Sequence, residues 1–207
     1  MFDDNCNLTK SVVAGLKTQT RKVTDKLQFH TDATSLGFSR FDYSYANKGV
    51  IRVWNDKEHT FLVIRSRYKL GETVAVAQCY NDVLSEFPYL NSRSWFDPKE
   101  NCAGMTNKMF VRADLMPHRI EITGIKVERL QDISDKDILR EGIVFNKFYV
   151  YHILMSRFGF KCRGTQFWFD SGKAAYASLI NMICGKYTWK QNPWVFVYDF
   201  KLTQKLY

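Results

Sequence analysis

The chain has 207 residues, of which 45% are hydrophobic, 15% aromatic and 25% charged. That is enough apolar side chain for one domain with a sizeable core, and it excludes a disordered chain. The formal net charge of +9 favours polyanionic partners such as nucleotides or nucleic acid, but the lysines and arginines are scattered, which argues against a basic tail.

In chain order, Leu8, Val12, Val13 and Leu16 fall at helical spacing, with Asn7 or Thr9 as a cap and Gly15 near the end. They predict a short helix over 8–16, then a strand from about Arg21. Residues 30–49 are rich in Ser, Thr, Asp, Asn, Gly and Tyr and read as a loop. Ile51 to Trp54 and Thr60 to Ile64, joined through Asn55-Asp56, predict a β-hairpin. A turn at Gly71-Glu72 leads into a strand from Thr73 to Gln78, and a short helix follows over Asn81 to Phe87. Residues 88–106, with Pro88, Pro98 and Gly104, read as a surface loop. Lys108 to Arg112 is expected as a strand. His118 to Leu130 alternates apolar and polar with one break at Gly124, the mark of a strand carrying a bulge. Ser134-Asp135-Lys136-Asp137 is a helix-capping box, and that helix should stop at Gly142. Lys173 to Cys184 predicts a further helix packing through Ala174, Ala177, Leu179, Ile180 and Ile183. Pro193 opens a last strand from Trp194 to Leu202, with Trp194 and Phe196 turned to the core.

The five cysteines are Cys6, Cys79, Cys102, Cys162 and Cys184, an odd number without a CxxC pair, and the four histidines form no HExxH. Neither a disulfide framework, nor a metal site, nor a cofactor is expected. No apolar run reaches bilayer length, and the start, with Asp3 and Asp4, lacks a signal-peptide core; a cytoplasmic protein away from membranes is expected.

Four ordered segments carry a resemblance. Gly15-Leu16-Lys17-Thr18-Gln19-Thr20-Arg21-Lys22 resembles the N-terminal signature of the ASCH domain family. Tyr68-Lys69-Leu70-Gly71-Glu72-Thr73-Val74 is similar to that family's entry into a barrel strand. Met116 to Ile120 with Val127 to Ser134 resembles the central strand and helix start of its longer phage and bacterial members. Trp189 and Asn192 to Val197, with Phe200, resemble the closing strand. The resemblance implies an α+β fold, a PUA-like small mixed β-barrel of five or six strands with helices 8–16, 134–141 and 172–184 at its ends. One domain would span 1–207, with surface insertions near 24–60, 88–106 and 144–170. One branch of the family hydrolyses an acetyl amide on the exocyclic amine of cytidine, and its working residues fall on Lys17, Thr20 and Glu141 here. Thr20 stands where most of the family has an acid, and Ala77-Gln78 replaces a usual Arg-Glu pair.

The residues themselves allow that chemistry. A hydroxyl needs a base to become a nucleophile, and a lysine serves once burial or a neighbouring cation strips its proton. Lys17 would activate Thr20, Glu141 would position and protonate the leaving amine, and Thr18, Arg21, Lys22, Gln78, Arg119 and Trp189 would bind ligand. The same run also reads as a polar helix end, with Lys17 and Arg21 complementing the helix dipole. A second candidate lies in the acid-free stretch from Gly142 to Phe169, where Lys147, Arg157, Lys161 and Arg163 interleave with aromatic residues. Such a stretch forms either a stacking platform for RNA or an inward-packed insertion. The functions expected are recognition of RNA or a modified nucleoside with amidohydrolase activity, a non-catalytic RNA-binding module, or a protein-interaction accessory factor.

Overall fold

The computed structural model describes residues 2–23, 37–92, 103–150 and 153–204. The fold is α+β. Five α-helices are described: α1 (Leu8–Val13), α2 (Tyr80–Glu86), α3 (Asp135–Arg140), α4 (Gly172–Cys184) and α5 (Thr188–Gln191). Ten strands are described: β1 (Gln19–Val23), β2 (Arg40–Asp42), β3 (Val50–Asn55), β4 (Thr60–Arg65), β5 (Thr73–Ala75), β6 (His118–Arg129), β7 (Val144–Val150), β8 (Ile153–Cys162), β9 (Thr165–Phe169) and β10 (Trp194–Gln204). They form three antiparallel sheets in the orders β1-β10-β6-β5, β2-β3-β4 and β7-β8-β9, and none of these closes into a barrel among the described residues.

The four-stranded sheet is the middle layer, and β10 shows why. Its side chains alternate between faces. Phe196, Tyr198 and Phe200 pack with Ile51, Val53 and Ile64 of the β2-β3-β4 sheet. Val195 and Val197 pack with Ala175, Tyr176, Leu179 and Ile180 of α4 and with Phe160 of β8. A strand buried on both faces must be apolar at nearly every position, which the run Trp194-Val195-Phe196-Val197-Tyr198 satisfies.

The hairpin β3-β4, the helix α2, the capped helix α3, the helix α4 and the long strands β6 and β10 stand where the sequence puts them. The bulge expected at Gly124 is present: Gly124 pairs with Asp199 and Ile122 with Phe200, leaving Thr123 extra on β6. Gly124 also keeps the strands close, since a Cβ there would lie 2.7 Å from an Asp199 carboxylate oxygen.

Other expectations change. Lys108–Arg112 is not a strand; Phe110 has a left-handed φ of 62°, which ends any extended run. Lys108 is instead buried, holding Asp4 and Thr9 of the N-terminal segment. Cys6 and Cys162 form a disulfide across 156 positions of sequence, so the expectation of no disulfide is corrected. Cys79 and Cys184 are free, and Cys102 lies outside the described residues. The loop expected over 30–49 is described only from residue 37, where it holds β2 and a 3-10 turn at Ala46–Lys48. The stretch expected as a loop over 88–106 is described for 88–92 and 103–106, with a 3-10 turn at Pro88–Ser92.

Candidate functional site

The start of β1 is tied to the end of α3. Ser134 caps α3 by accepting a hydrogen bond from the Asp137 N–H, and the helix ends at Glu141, with Gly142 at φ 98° turning the chain into β7. The last carbonyls of a helix lack internal partners and carry partial negative charge. Here the Thr18 N–H donates to the Arg140 carbonyl at 2.9 Å, and the Lys17 ammonium donates to the Glu141 carbonyl at 2.8 Å. The same ammonium donates to Glu141 Oε2 at 2.5 Å. The two groups expected to converge across more than a hundred positions are therefore in contact, and both are buried.

Arg21 completes the arrangement. Its Nη1 donates to Glu141 Oε1 at 2.9 Å and to Gln19 Oε1 at 2.6 Å, and its Nη2 donates to Glu128 Oε1 at 2.5 Å. Asp137 Oδ2 lies 3.5 Å from the same Nη2. Lys126 bridges Glu128 and Asp137, and Arg140 bridges Asp137 and Asp199. Four cations (Lys17, Arg21, Lys126, Arg140) thus face four anions (Glu128, Asp137, Glu141, Asp199), so the charges are internally compensated.

Burial shifts their proton affinities. Desolvation pushes Lys17 below the usual lysine value, helped by the nearby charges of Arg21 and Lys22, while Glu141 opposes it only in part. Burial likewise lowers Lys22. For Arg21 burial acts downward, but the carboxylates of Glu141 and Glu128 outweigh it and the net direction is up.

A cavity of about 320 Å³ opens along this network, lined by Lys17, Thr20, Arg21, Lys22, Glu141 and Tyr176 on its polar side. Phe2, Leu8, Val23, Leu179, Ile180 and Ile183 supply the apolar side. That volume lies at the lower end of small-ligand sites. The period of two places Thr20 and Lys22 on the opposite face of β1 from Gln19 and Arg21: Thr20 is opposite Tyr198, and Arg21 is opposite Val197. Among the described residues β1 is an edge strand, and the cavity takes lining from residues on both of its faces. The Phe200 N–H donates to the Thr18 carbonyl, so the ladder uses Thr18, Thr20 and Lys22, and the backbone groups of Gln19, Arg21 and Val23 point out along the edge.

The other candidate residues are dispersed. Thr18 accepts from Arg140 Nε at 3.3 Å and braces the network without lining the cavity. Trp189 stands behind the wall, its ring edge-on to Tyr176 at 6.1 Å. Gln78 lines a different cavity of about 630 Å³, with Cys79, Asp82 and Glu86. Arg119 lies on β6 opposite Ala75 and donates to the Ala113 carbonyl. Gln78 and Arg119 are thus not brought to the Lys17–Glu141 cavity, since β5 and β6 lie on the other side of β10 from β1. In the β7-β8-β9 sheet, Phe158, Phe160, Phe167 and Phe169 pack inward. Arg157 and Lys161 share one face, whereas Lys147 sits opposite Ser156 on the other and lies over the Phe145 ring; Arg163 is in the turn after β8. The four cations do not form one surface.

Sequence reasoning missed Tyr176, Glu128 and Asp137. Tyr176 shares a helix stripe with Gly172 and Ile180, at spacings of four, and Ala174, expected to pack, is exposed. Glu128 and Asp137 lie on segments already assigned to β6 and α3, and alternation placed Glu128 outside the core.

No protein-family model matches the chain, no curated protein matches it, and no solved structure matches it. Among the described residues no helix is long and apolar enough to cross a membrane, and no group of three or more His, Cys, Asp or Glu side chains is placed to hold a metal ion.

Proposed function

We propose that the chain is an ASCH-type, PUA-related protein that binds a modified nucleoside in this cavity and hydrolyses an acyl amide on a cytidine-like base. One observation carries the reading: the Lys17 ammonium lies 2.5 Å from the Glu141 carboxylate on the wall of a cavity that Thr20 also lines. The pairing of β1 with β10, which brings the first and last segments of the resemblance side by side, is consistent with it.

In this reading Thr20 Oγ attacks the acyl carbon, an ester bond forms, and the amide C–N bond breaks. The hydroxyl proton passes by way of Lys17 and Glu141 to the departing amine. Water then hydrolyses the acyl-threonine, releasing the carboxylic acid and restoring the hydroxyl. Lys17 can act as the base because burial already lowers its proton affinity. The test is acetate release from N4-acetylcytidine, followed by NMR: wild type should turn over, and Lys17→Ala and Thr20→Ala should lose turnover while keeping the far-UV spectrum. No turnover by wild type across a panel of acylated nucleosides would overturn the reading.

A second reading rests on β9. Trp168 is exposed, and its ring lies close to Gly159, where a Cβ would come to 2.5 Å of the indole. Arg157 and Lys161 flank that ring on the same face. An exposed indole between two cations is a platform for an unpaired base. Salt-titrated binding of single-stranded oligouridine, lost in Trp168→Ala, would favour an RNA-binding module; absent or salt-insensitive binding would remove it.

A further inference from the structure

We propose that Tyr176 is a ligand-contacting residue of the Lys17–Glu141 cavity, donating a hydrogen bond from its phenol to a carbonyl oxygen of the bound molecule. This deepens the reading above and rests on it for the identity of that molecule.

Tyr176 lines the cavity from α4 and is only 1% exposed. Among the described residues its hydroxyl has no hydrogen-bond partner. Buried polar groups are nearly always paired, and one left unpaired lowers stability. The surrounding cluster is apolar, with Leu179, Ile180, Ile138 and Val197, so a phenylalanine would serve the packing equally well.

The neighbouring charged network does not satisfy the hydroxyl. Glu141 Oε1 is held by Arg21 and Oε2 by Lys17. The Arg21 nitrogens are taken by Gln19, Glu128, Asp137 and Glu141. The hydroxyl belongs to a residue on the cavity lining, so a bound molecule is placed to supply the missing partner. Burial, reinforced by the Glu141 charge, holds the phenol well above the usual tyrosine value, so it stays protonated and acts as a donor. The donor is also fixed in place. The helix that carries it runs for thirteen residues and is capped by Ser171, and the ring packs edge-on against Trp189. A rigid phenol of this kind selects a ligand with an acceptor oxygen at one position and rejects one with a donor there.

The test is Tyr176→Phe, which removes one oxygen and keeps the shape. Two measurements are made on the full chain. Without ligand, the variant should melt at the same temperature as wild type or about 2 °C higher, because an unmet hydroxyl has been removed; a lower melting temperature would show that the hydroxyl is bonded in the free protein and would overturn the proposal. With N4-acetylcytidine, kcat/KM should fall about tenfold; an unchanged value with wild type active would also overturn it. If wild type releases no acetate, the acyl-cytidine reading fails separately. Thermal shifts with uracil, cytosine and N4-acetylcytosine then decide: a rise for wild type that is lost in Tyr176→Phe supports the contact, and no shift with any of the three overturns it.

Discussion

A buried lysine in contact with a buried glutamate is a poor way to gain stability and a good way to hold chemistry. Taking both charges out of water costs more than a packed apolar pair would, yet removing one partner alone strands the other. Glu141→Ala should therefore cost about 3–5 kcal/mol in urea unfolding, since it leaves both Lys17 and Arg21 short of an anion. The lowered proton affinity of Lys17 has a sign that can be tested. Between its depressed folded value and the ordinary 10.5, the unfolded chain binds the extra proton, so the Lys17 contribution to stability improves as pH rises through that window and is unfavourable below it. Activity should follow the same group, with kcat/KM rising with pH through the depressed value. Lys22 is one of the cations that lowers it, so Lys22→Met should move that rising limb to higher pH; a limb that stays in place would show that another group is being titrated. Lys17, Thr20, Arg21, Lys22 and Glu141, which line one cavity, were singled out in the sequence through the polar run after the first helix and the resemblance. Tyr176 was not, because a tyrosine on an alanine- and leucine-rich helix reads as core, and only the missing partner of its hydroxyl marks it otherwise. Gln78 and Arg119 do not line this cavity, because strand order, which no local pattern encodes, separates β1 from the β5-β6 side of the sheet.

At the scale of elements, the site depends on where α3 ends. The helix has six residues, too few to persist without its cap and its packing. Ser134→Ala should cost about 1 kcal/mol and lower kcat/KM together with stability, because the cap sets the register that brings the Arg140 and Glu141 carbonyls to Thr18 and Lys17. A variant with unchanged melting temperature and activity would show that packing of Ile138 alone holds the helix. This element was readable because the capping box and the glycine at Gly142 are both local signals. The hairpin β3-β4 and the bulged strand β6 were readable for the same reason, through alternation and turn chemistry. The expected strand at Lys108–Arg112 failed because two apolar residues, Met109 and Phe110, resemble a strand, while in the fold they lie exposed on a turn.

For the whole molecule, three layers and one covalent tie set the position of the N-terminal segment. Phe2, Asp3 and Leu8 form one wall of the candidate site, while Asp4, Asn7, Thr9 and Lys10 line the larger cavity beside Gln78. The Cys6–Cys162 disulfide, the Arg163 N–H to the Asn5 carbonyl and the buried Lys108 hold that segment. Reduction of the disulfide should lower stability by about 2–4 kcal/mol, read as a fall in melting temperature with dithiothreitol, and Cys6→Ser should reproduce it. Equal melting of the oxidised and reduced chains would contradict a structural role. This tie was illegible because two cysteines 156 positions apart carry no spacing signal. The layering was half legible: the apolar run of β10 announced a strand covered on both faces, but nothing local announced which elements would cover it.

The proposed chemistry requires Thr20 to become acylated in the cavity it lines with Lys17 and Glu141. The most direct measurement is peptide mapping by mass spectrometry of the intact chain quenched in acid within a turnover of mixing with N4-acetylcytidine. One acetyl group is expected on Thr20, absent in Thr20→Ala and in Lys17→Ala. Acetate released without any acetyl on Thr20, or an acetyl group found only on surface lysines, would contradict it.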